Sequence, residues 1–180
     1  ETEAEDVYRF APTLSEEEMQ TFSEGIHYNA YKMLGAHPMT VDGVEGVRFA
    51  VWAPNVVRVS VVGDFNFWNP DDLPMTRISQ GVWEAWSSNA REGGAYKYLI
   101  RHGNGETVHK ADPVGFRTCV APDTSSVICG KSKYRWHDKA WMEQAASRTP
   151  LHGPVNIYEM HLGSWRRKED GSLYSYGELA

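Results

Sequence analysis

Apolar and polar positions alternate with a period of two along much of the first 130 residues. Residues 47–52 place apolar side chains at every second position, and residues 57–61 repeat the pattern after the turn Ala53-Pro54-Asn55. A period of two is typical of strands with one buried face. The pattern therefore predicts two adjacent strands, which we expect to pair with each other as a hairpin.

Four more short runs carry the same strand signal, and Gly, Pro or Asn residues separate them. They are Gly81–Ser87, Ala95–Arg101, Glu106–Lys110 and Ser125–Cys129, with Asn104-Gly105 as a hairpin turn before the third. Short strands at this spacing are typical of antiparallel sandwiches. The sequence predicts an all-β fold, an immunoglobulin-like β-sandwich over residues 35–130.

Short helices are predicted before the sandwich, in residues 1–34. Ser15 and Glu18 have the spacing of a capping box, and Gly25 offers a stop for the helix that follows. A second helical stretch runs from Asn29 to Leu34.

The pattern changes again after Gly130. Residues 131–154 read as a linker with a short helix at Asp138–Ala146, and Val155–His161 is an apolar run typical of a buried strand. Tyr176–Ala180 reads as the beginning of a helix. A strand, a loop and a helix over 155–180 predict a βα unit without its partners, so that the chain stops inside a second domain.

Composition limits the function classes. With 24 acidic and 18 basic residues the net charge is -6, which argues against nucleic acid as a partner. No apolar run is long enough to cross a membrane, and the first residues lack the pattern of a signal peptide, so we expect a soluble, cytoplasmic protein. Cys119 and Cys129 do not have metal-site spacing, and we predict neither a metal nor a cofactor.

Several motifs, taken together and in order, resemble the N-terminal part of bacterial 1,4-α-glucan (glycogen) branching enzymes. They are HYNAYKMLGAH (27–37), GVRFAVWAPNVVRVSVVGDFNFW (46–68), GVWEAW (81–86), YKYLI (96–100), KADP (110–113) and IYEMHLGSWRR (157–167). GDFNFW and YKY also occur in other starch-active enzymes and in kinase β subunits. KADP followed by IYEMHLGSWRR and SYGELA is far more specific.

This resemblance implies a family 48 carbohydrate-binding module, followed by the first βα element of a family 13 (β/α)₈ barrel. In the whole enzyme the barrel transfers α-1,4-glucan chains to 6-hydroxyls and forms α-1,6 branches with retention of configuration. Such a reaction needs a pair of carboxylates flanking the scissile bond. The family motifs that supply them do not occur up to Ala180. No catalytic residue is therefore predicted, and residues 1–180 alone should be inactive.

Glucan binding is the activity that the resemblance leaves to this chain. Relatives stack the Trp of their GxFNxW motif on glucose and donate a hydrogen bond from the Lys of the YK strand, which correspond here to Trp68 and Lys97. Their second stacking Trp has no counterpart in 107–110, and two further contacts are absent from 121–126. We expect α-glucan binding at Trp68 and Lys97 to be weak or lost, and a contact of Trp68 with the absent barrel is slightly favoured over a sugar contact.

Other candidates have structural interpretations. Phe65 is expected in the core, and Asn66 and Asn69 are expected to bond the turn. Asp112, before Pro113, should cap a turn, and Glu159 is one carboxylate without a catalytic partner.

Two other functions remain open from the sequence: a non-enzymatic glycogen-binding module of the kinase β-subunit type, and the N-terminal part of a debranching enzyme. Without barrel neighbours, the apolar residues of 155–180 could also cause self-association through an open strand edge.

Overall fold

The computed structural model of the protein describes residues 12–79, 81–130, 132, 134–147 and 153–180. The chain divides into two compact units, residues 1–132 and 133–180. Residues 1–11 of the predicted N-terminal segment lie outside the described residues, as do 131, 133 and 148–152 of the predicted linker.

Eight strands form the framework of the first unit. They are β1 Gly35–Val41, β2 Val44–Trp52, β3 Arg58–Gly63, β4 Thr76–Ser79, β5 Val82–Ser87, β6 Ala95–Arg101, β7 Thr107–Lys110 and β8 Ser126–Val127. One sheet has the order β1-β2-β5-β4, and the other has the order β3-β6-β7, with β8 also paired to β6. Every pairing between these strands is antiparallel. The predicted all-β sandwich is confirmed.

The predicted hairpin between the first two strands is wrong. β2 pairs with β1 and β5, whereas β3 lies in the other sheet and pairs with β6. The connection through Ala53 carries the chain from one sheet to the other, and the Trp83 indole donates to the Ala53 carbonyl at 2.8 Å. Alternation correctly located both strands, but it carries no information about which strands are neighbours.

The two sheets enclose the main core. Val47, Phe49 and Val51 of β2 face Val59 and Val61 of β3 and the rings of β6 across this layer. The ring centroids of Phe49 and Tyr96 are 5.2 Å apart. Apolar burial of this kind supplies most of the stability of a sandwich.

The N-terminal helices cover the outer face of the first sheet. α1 Glu16–Ser23 begins at the predicted capping box of Ser15 and Glu18, and α2 Ala30–Met33 follows. A second cluster joins buried residues of these segments to the outward side chains of β2 and β5: Leu14, Met19, Met33, Leu34, Ala50 and Val82. β2 is therefore covered on both faces, which explains its run of six consecutive buried residues.

In the second unit, α3 Lys139–Ser147 confirms the predicted linker helix, and α5 Tyr176–Leu179 confirms the predicted C-terminal one. Lys168 Nζ lies 2.6 Å from a carboxylate oxygen of Glu178. This contact, together with the capping bonds from Ser175, lowers the pKa of Glu178 to about 2.

The predicted strand over 155–161 is not formed. These residues have no regular secondary structure, and a short helix, α4 Leu162–Trp165, follows them. A strand is stable only when its backbone pairs with another strand, and no described residue pairs with this segment. Its apolar side chains are exposed, Ile157 by 88%.

Candidate functional site

The turn after β3 is held by one buried amide. Asn66 lies in a single 3₁₀ turn, Asp64–Asn66, and is 7% exposed. Its Nδ2 donates to the Val61 carbonyl at 2.9 Å, and its Oδ1 accepts from the Gly63 backbone N–H at 2.9 Å. The predicted structural role of Asn66 is confirmed, and its side chain connects the turn to the end of β3.

The aromatic residues of the turn separate into core and surface. Phe65 packs against the main core, with its ring centroid 5.5 Å from that of Phe49, so its predicted core position is confirmed. Trp68 remains 37% exposed and Phe67 is 92% exposed.

Phe67 and Trp68 both have left-handed backbone conformations, with φ of 51° and 62°. Such a conformation costs roughly 1–2 kcal/mol per residue for side chains other than glycine. The turn nevertheless places two large rings there, at or near the surface. Strain of this kind is often found at functional sites.

Asp64 links Trp68 to the beginning of β6. Its Oδ1 accepts from the Trp68 indole N–H at 3.3 Å, and its Oδ2 accepts from the Ala95 backbone N–H at 2.8 Å. The Trp68 ring is thus oriented by a carboxylate that is itself bonded to the sheet. Asp64 was not singled out by the sequence, because a carboxylate in a turn has many structural uses.

Lys97 lies two residues after Ala95 on β6, directly across from Val62 of β3. Alternation places it on the outer face, opposite to the buried Tyr96 and Tyr98. Its Nζ donates to Thr124 Oγ1 at 2.8 Å. The structure brings the two predicted residues, Trp68 and Lys97, to the same end of the β3–β6 pair.

The neighbouring surface is polar. Asp123 accepts from both the backbone and the hydroxyl of Ser125, at 2.8 and 2.7 Å, and these bonds lower its pKa. Partial burial and the nearby Asp123 raise the pKa of the Cys119 thiol. The Lys97 ammonium, the Thr124 hydroxyl and the Asp123 carboxylate therefore form a polar surface next to β6.

The outer face of β7 carries no second aromatic side chain. His109 is directly across from Leu99, on the same face as Lys97. Residues 107–110 therefore place a histidine on this face and contain no Trp, Tyr or Phe.

Neither carboxylate considered from the sequence is arranged for catalysis. Asp112 is 7% exposed, and its Oδ2 lies 2.6 Å from the hydroxyl of Tyr96 and 3.0 Å from that of Tyr98. Its Oδ1 accepts from the Val114 backbone N–H at 2.9 Å, which confirms the predicted turn cap. Burial and this carboxylate raise the pKa of both tyrosines. Glu159 is exposed in the segment without regular structure.

The described residues lack a metal-binding cluster and a membrane-spanning helix. They contain no group of three or more His, Cys, Asp or Glu side chains placed to hold a metal ion. No helix among them is long and apolar enough to cross a membrane.

Comparison with known proteins gives consistent matches. Residues 33–115 match the model of carbohydrate-binding module 48, the isoamylase N-terminal domain. The chain is 49% identical over 181 residues to the 1,4-alpha-glucan branching enzyme GlgB of Rubrobacter xylanophilus, covering 100% of the chain and 25% of that enzyme. It is 48% identical over 177 residues to the enzyme of the same name from Nitrosomonas eutropha, covering 97% of the chain and 24% of that enzyme.

Among solved structures, pullulanase type I from Bacillus subtilis, in complex with maltose, superposes with a TM-score of 0.47 and 24% identity. This superposition covers 57% of the chain and 14% of the pullulanase. The chain spans about a quarter of the length of the curated relatives that it matches.

Proposed function

Residues 33–115 are a family 48 carbohydrate-binding module, and the chain corresponds to the N-terminal region of 1,4-alpha-glucan branching enzymes; from this premise we propose that the sandwich binds α-glucan at Trp68 and Lys97. A pyranose has an apolar face of C–H groups and a rim of hydroxyls. It is bound by an exposed aromatic plane with hydrogen-bonding groups at its edge.

The observation that carries this proposal is the placement of Trp68 and Lys97 at the same end of the β3–β6 pair. Helices cover the outer face of the first sheet, whereas Lys97 and His109 lie on the outer face of the second. The Trp68 ring is partly exposed and is fixed by Asp64. Lys97 and Thr124 supply an ammonium and a hydroxyl for sugar oxygens.

Binding at this surface is expected to be weak. One partly exposed indole ring stacks on one glucose, and β7 contains no Trp, Tyr or Phe. An aromatic contact contributes about 0.5–1.5 kcal/mol beyond its buried area.

Trp68→Ala and Lys97→Ala should each lower the affinity for glycogen by about five- to ten-fold, because each removes one of the few contacts. Affinity electrophoresis of the chain in glycogen-containing gels measures this. Trp136→Ala is the matched control, since Trp136 is 77% exposed in the second unit. Equal retardation of the parent chain and the Trp68→Ala variant would remove Trp68 from the site.

For the whole enzyme we propose transfer of α-1,4-glucan chains to 6-hydroxyls with retention of configuration. The identity to branching enzymes extends over the full chain, residues 155–180 included, which supports this reaction over that of a stand-alone glycogen-binding module. We propose no catalytic residue among 1–180. The cytoplasmic location predicted from the sequence stays a prediction.

Product analysis with a longer chain that carries the barrel tests the proposed reaction. Incubation with amylose should create new α-1,6 linkages without a matching rise in reducing ends. Release of linear chains from glycogen would instead assign the enzyme to the debranching class.

We also propose that the rest of the enzyme covers the apolar side chains of 155–165. Ile157, Tyr158 and Trp165 are 88%, 73% and 48% exposed, a cost that a partner surface would remove. The strand predicted over 155–161 would then form by pairing within the barrel. Self-association through this segment stays a prediction.

A further inference from the structure

Phe67 is an exposed ring that the fold does not use. In the sequence it follows the buried Asn66 and precedes the partly exposed Trp68. Phe67 itself is 92% exposed, and its φ is 51°. Its neighbour Phe65 already fills the adjacent part of the core. The turn itself is held by the Asn66 side chain and by the bond from the Trp68 N–H to the Gly63 carbonyl at 3.0 Å, and neither involves the Phe67 ring.

A phenylalanine at this position is unfavourable for folding on two counts. The left-handed region favours glycine or asparagine over a bulky side chain. An exposed ring also gains nothing from burial. A residue that carries both costs and makes no core contact points to a role in binding.

The surroundings of Phe67 match the chemistry of a sugar. The ring lines a shallow groove together with Leu73, Asp71, Asp72, Ser87 and Asn89. Phe67 gives this groove its exposed apolar surface, since Leu73 is only 5% exposed, and the other residues give it carboxylate, hydroxyl and amide groups. Asp71 is paired with Arg58 at 2.9 Å, so a guanidinium also lies nearby.

The groove at Phe67 is lined by other residues than the surface at Trp68 and Lys97. Trp68 is bonded to Asp64 and through it to β6, whereas Phe67 shares its groove with the end of β5 and with the residues after the turn. Two consecutive left-handed residues thus present neighbouring rings to different groups of polar side chains.

We propose that Phe67 is a second stacking position for the same α-glucan, next to Trp68, with Asp71, Asp72 and Asn89 as partners for the sugar hydroxyls. This inference rests on the proposed glucan binding. It supplies, from the turn itself, the second aromatic platform that β7 lacks.

The test is Phe67→Gly in the full chain, with maltoheptaose as the probe and isothermal titration calorimetry as the readout. We expect an affinity five- to ten-fold lower than that of the parent chain. The thermal midpoint should be no lower than that of the parent chain, because glycine removes the left-handed strain. Loss of binding without loss of stability separates a sugar contact from a folding role. Tyr28→Ala is the matched control, since Tyr28 is 90% exposed on the N-terminal segment.

Three results would overturn the inference in distinguishable ways. If Phe67→Gly binds as the parent chain does while Trp68→Ala binds less, Phe67 is not a sugar contact and the proposed function stands. If Phe67→Gly lowers the midpoint by several degrees, the ring has a folding role. If the parent chain binds no maltoheptaose, the inference fails together with the proposed glucan binding.

Discussion

Asp112→Ala is expected to destabilise the sandwich by about 2–6 kcal/mol, because the Tyr96 hydroxyl and the Val114 backbone N–H lose their acceptor and each unsatisfied polar group costs about 1–3 kcal/mol. Tyr96 and Tyr98 both have their hydroxyls within hydrogen-bond distance of one oxygen of this carboxylate, and both are at most 1% exposed. The Tyr98 hydroxyl also lies 3.3 Å from the Ala50 carbonyl oxygen, which stays available as its acceptor. Water cannot replace the acceptor without opening the core. Urea unfolding followed by tryptophan fluorescence measures the loss.

Two further variants serve as controls for Asp112→Ala. Glu45→Ala removes an exposed carboxylate and should change the unfolding free energy by less than about 0.5 kcal/mol. Combining Asp112→Ala with Tyr96→Phe and Tyr98→Phe removes the donors together with the acceptor, and it should recover part of the lost stability. A loss below about 1 kcal/mol for Asp112→Ala would show that the buried network is not required.

Asn66→Ala should affect stability and binding together. It leaves the Gly63 N–H and the Val61 carbonyl without their side-chain partner, at a cost of about 1–3 kcal/mol for each buried group. The turn that presents Trp68 then loses its attachment to β3. We expect glycogen affinity to fall at least five-fold, although Asn66 itself is only 7% exposed.

Asn69→Ala is the matched control in the same turn, because Asn69 is exposed and its side chain bonds only to Asp71 and Asp72, which are also exposed. Binding is compared at a temperature where circular dichroism shows both variants to be folded. If Asn66→Ala loses stability but retains full affinity, the conformation of the turn is not part of the binding site.

The strands could be predicted from alternation, but their partners could not. β2, β3, β5, β6 and β7 are all visible as periodic runs, whereas β1 contains Pro38 and β4 is only four residues long. The two-residue turn Asp42-Gly43, with positive φ at both positions, connects β1 to β2. An Asp-Gly pair is a strong hairpin signal, and here it indicates that β1 is a neighbour of β2. Alternation alone had suggested β3 as that neighbour.

The site residues that belong to a known motif could be predicted from the sequence. Those whose position depends on the folded backbone could not. Trp68 and Lys97 follow from a resemblance, and no local pattern says that they lie at the same end of one sheet. The exposure of Phe67 depends on its left-handed backbone conformation. The sequence shows only that an aromatic residue follows an asparagine, which does not predict this conformation. The central position of Asp112 depends on two tyrosines of β6 that become its neighbours only in the folded sandwich.

A titration of the ¹⁵N-labelled chain with maltoheptaose, followed by two-dimensional NMR, tests the central claim most directly. Glucan binding at Trp68 and Lys97 predicts saturable shifts at the amides of 63–68, 95–97 and 124 and at the Trp68 indole N–H. A Trp68→Phe variant identifies the signal of this indole N–H. Cellohexaose, with β-1,4 linkages, should leave these signals in place. Absence of saturable shifts, or shifts confined to the N-terminal helices and β1, would contradict the account.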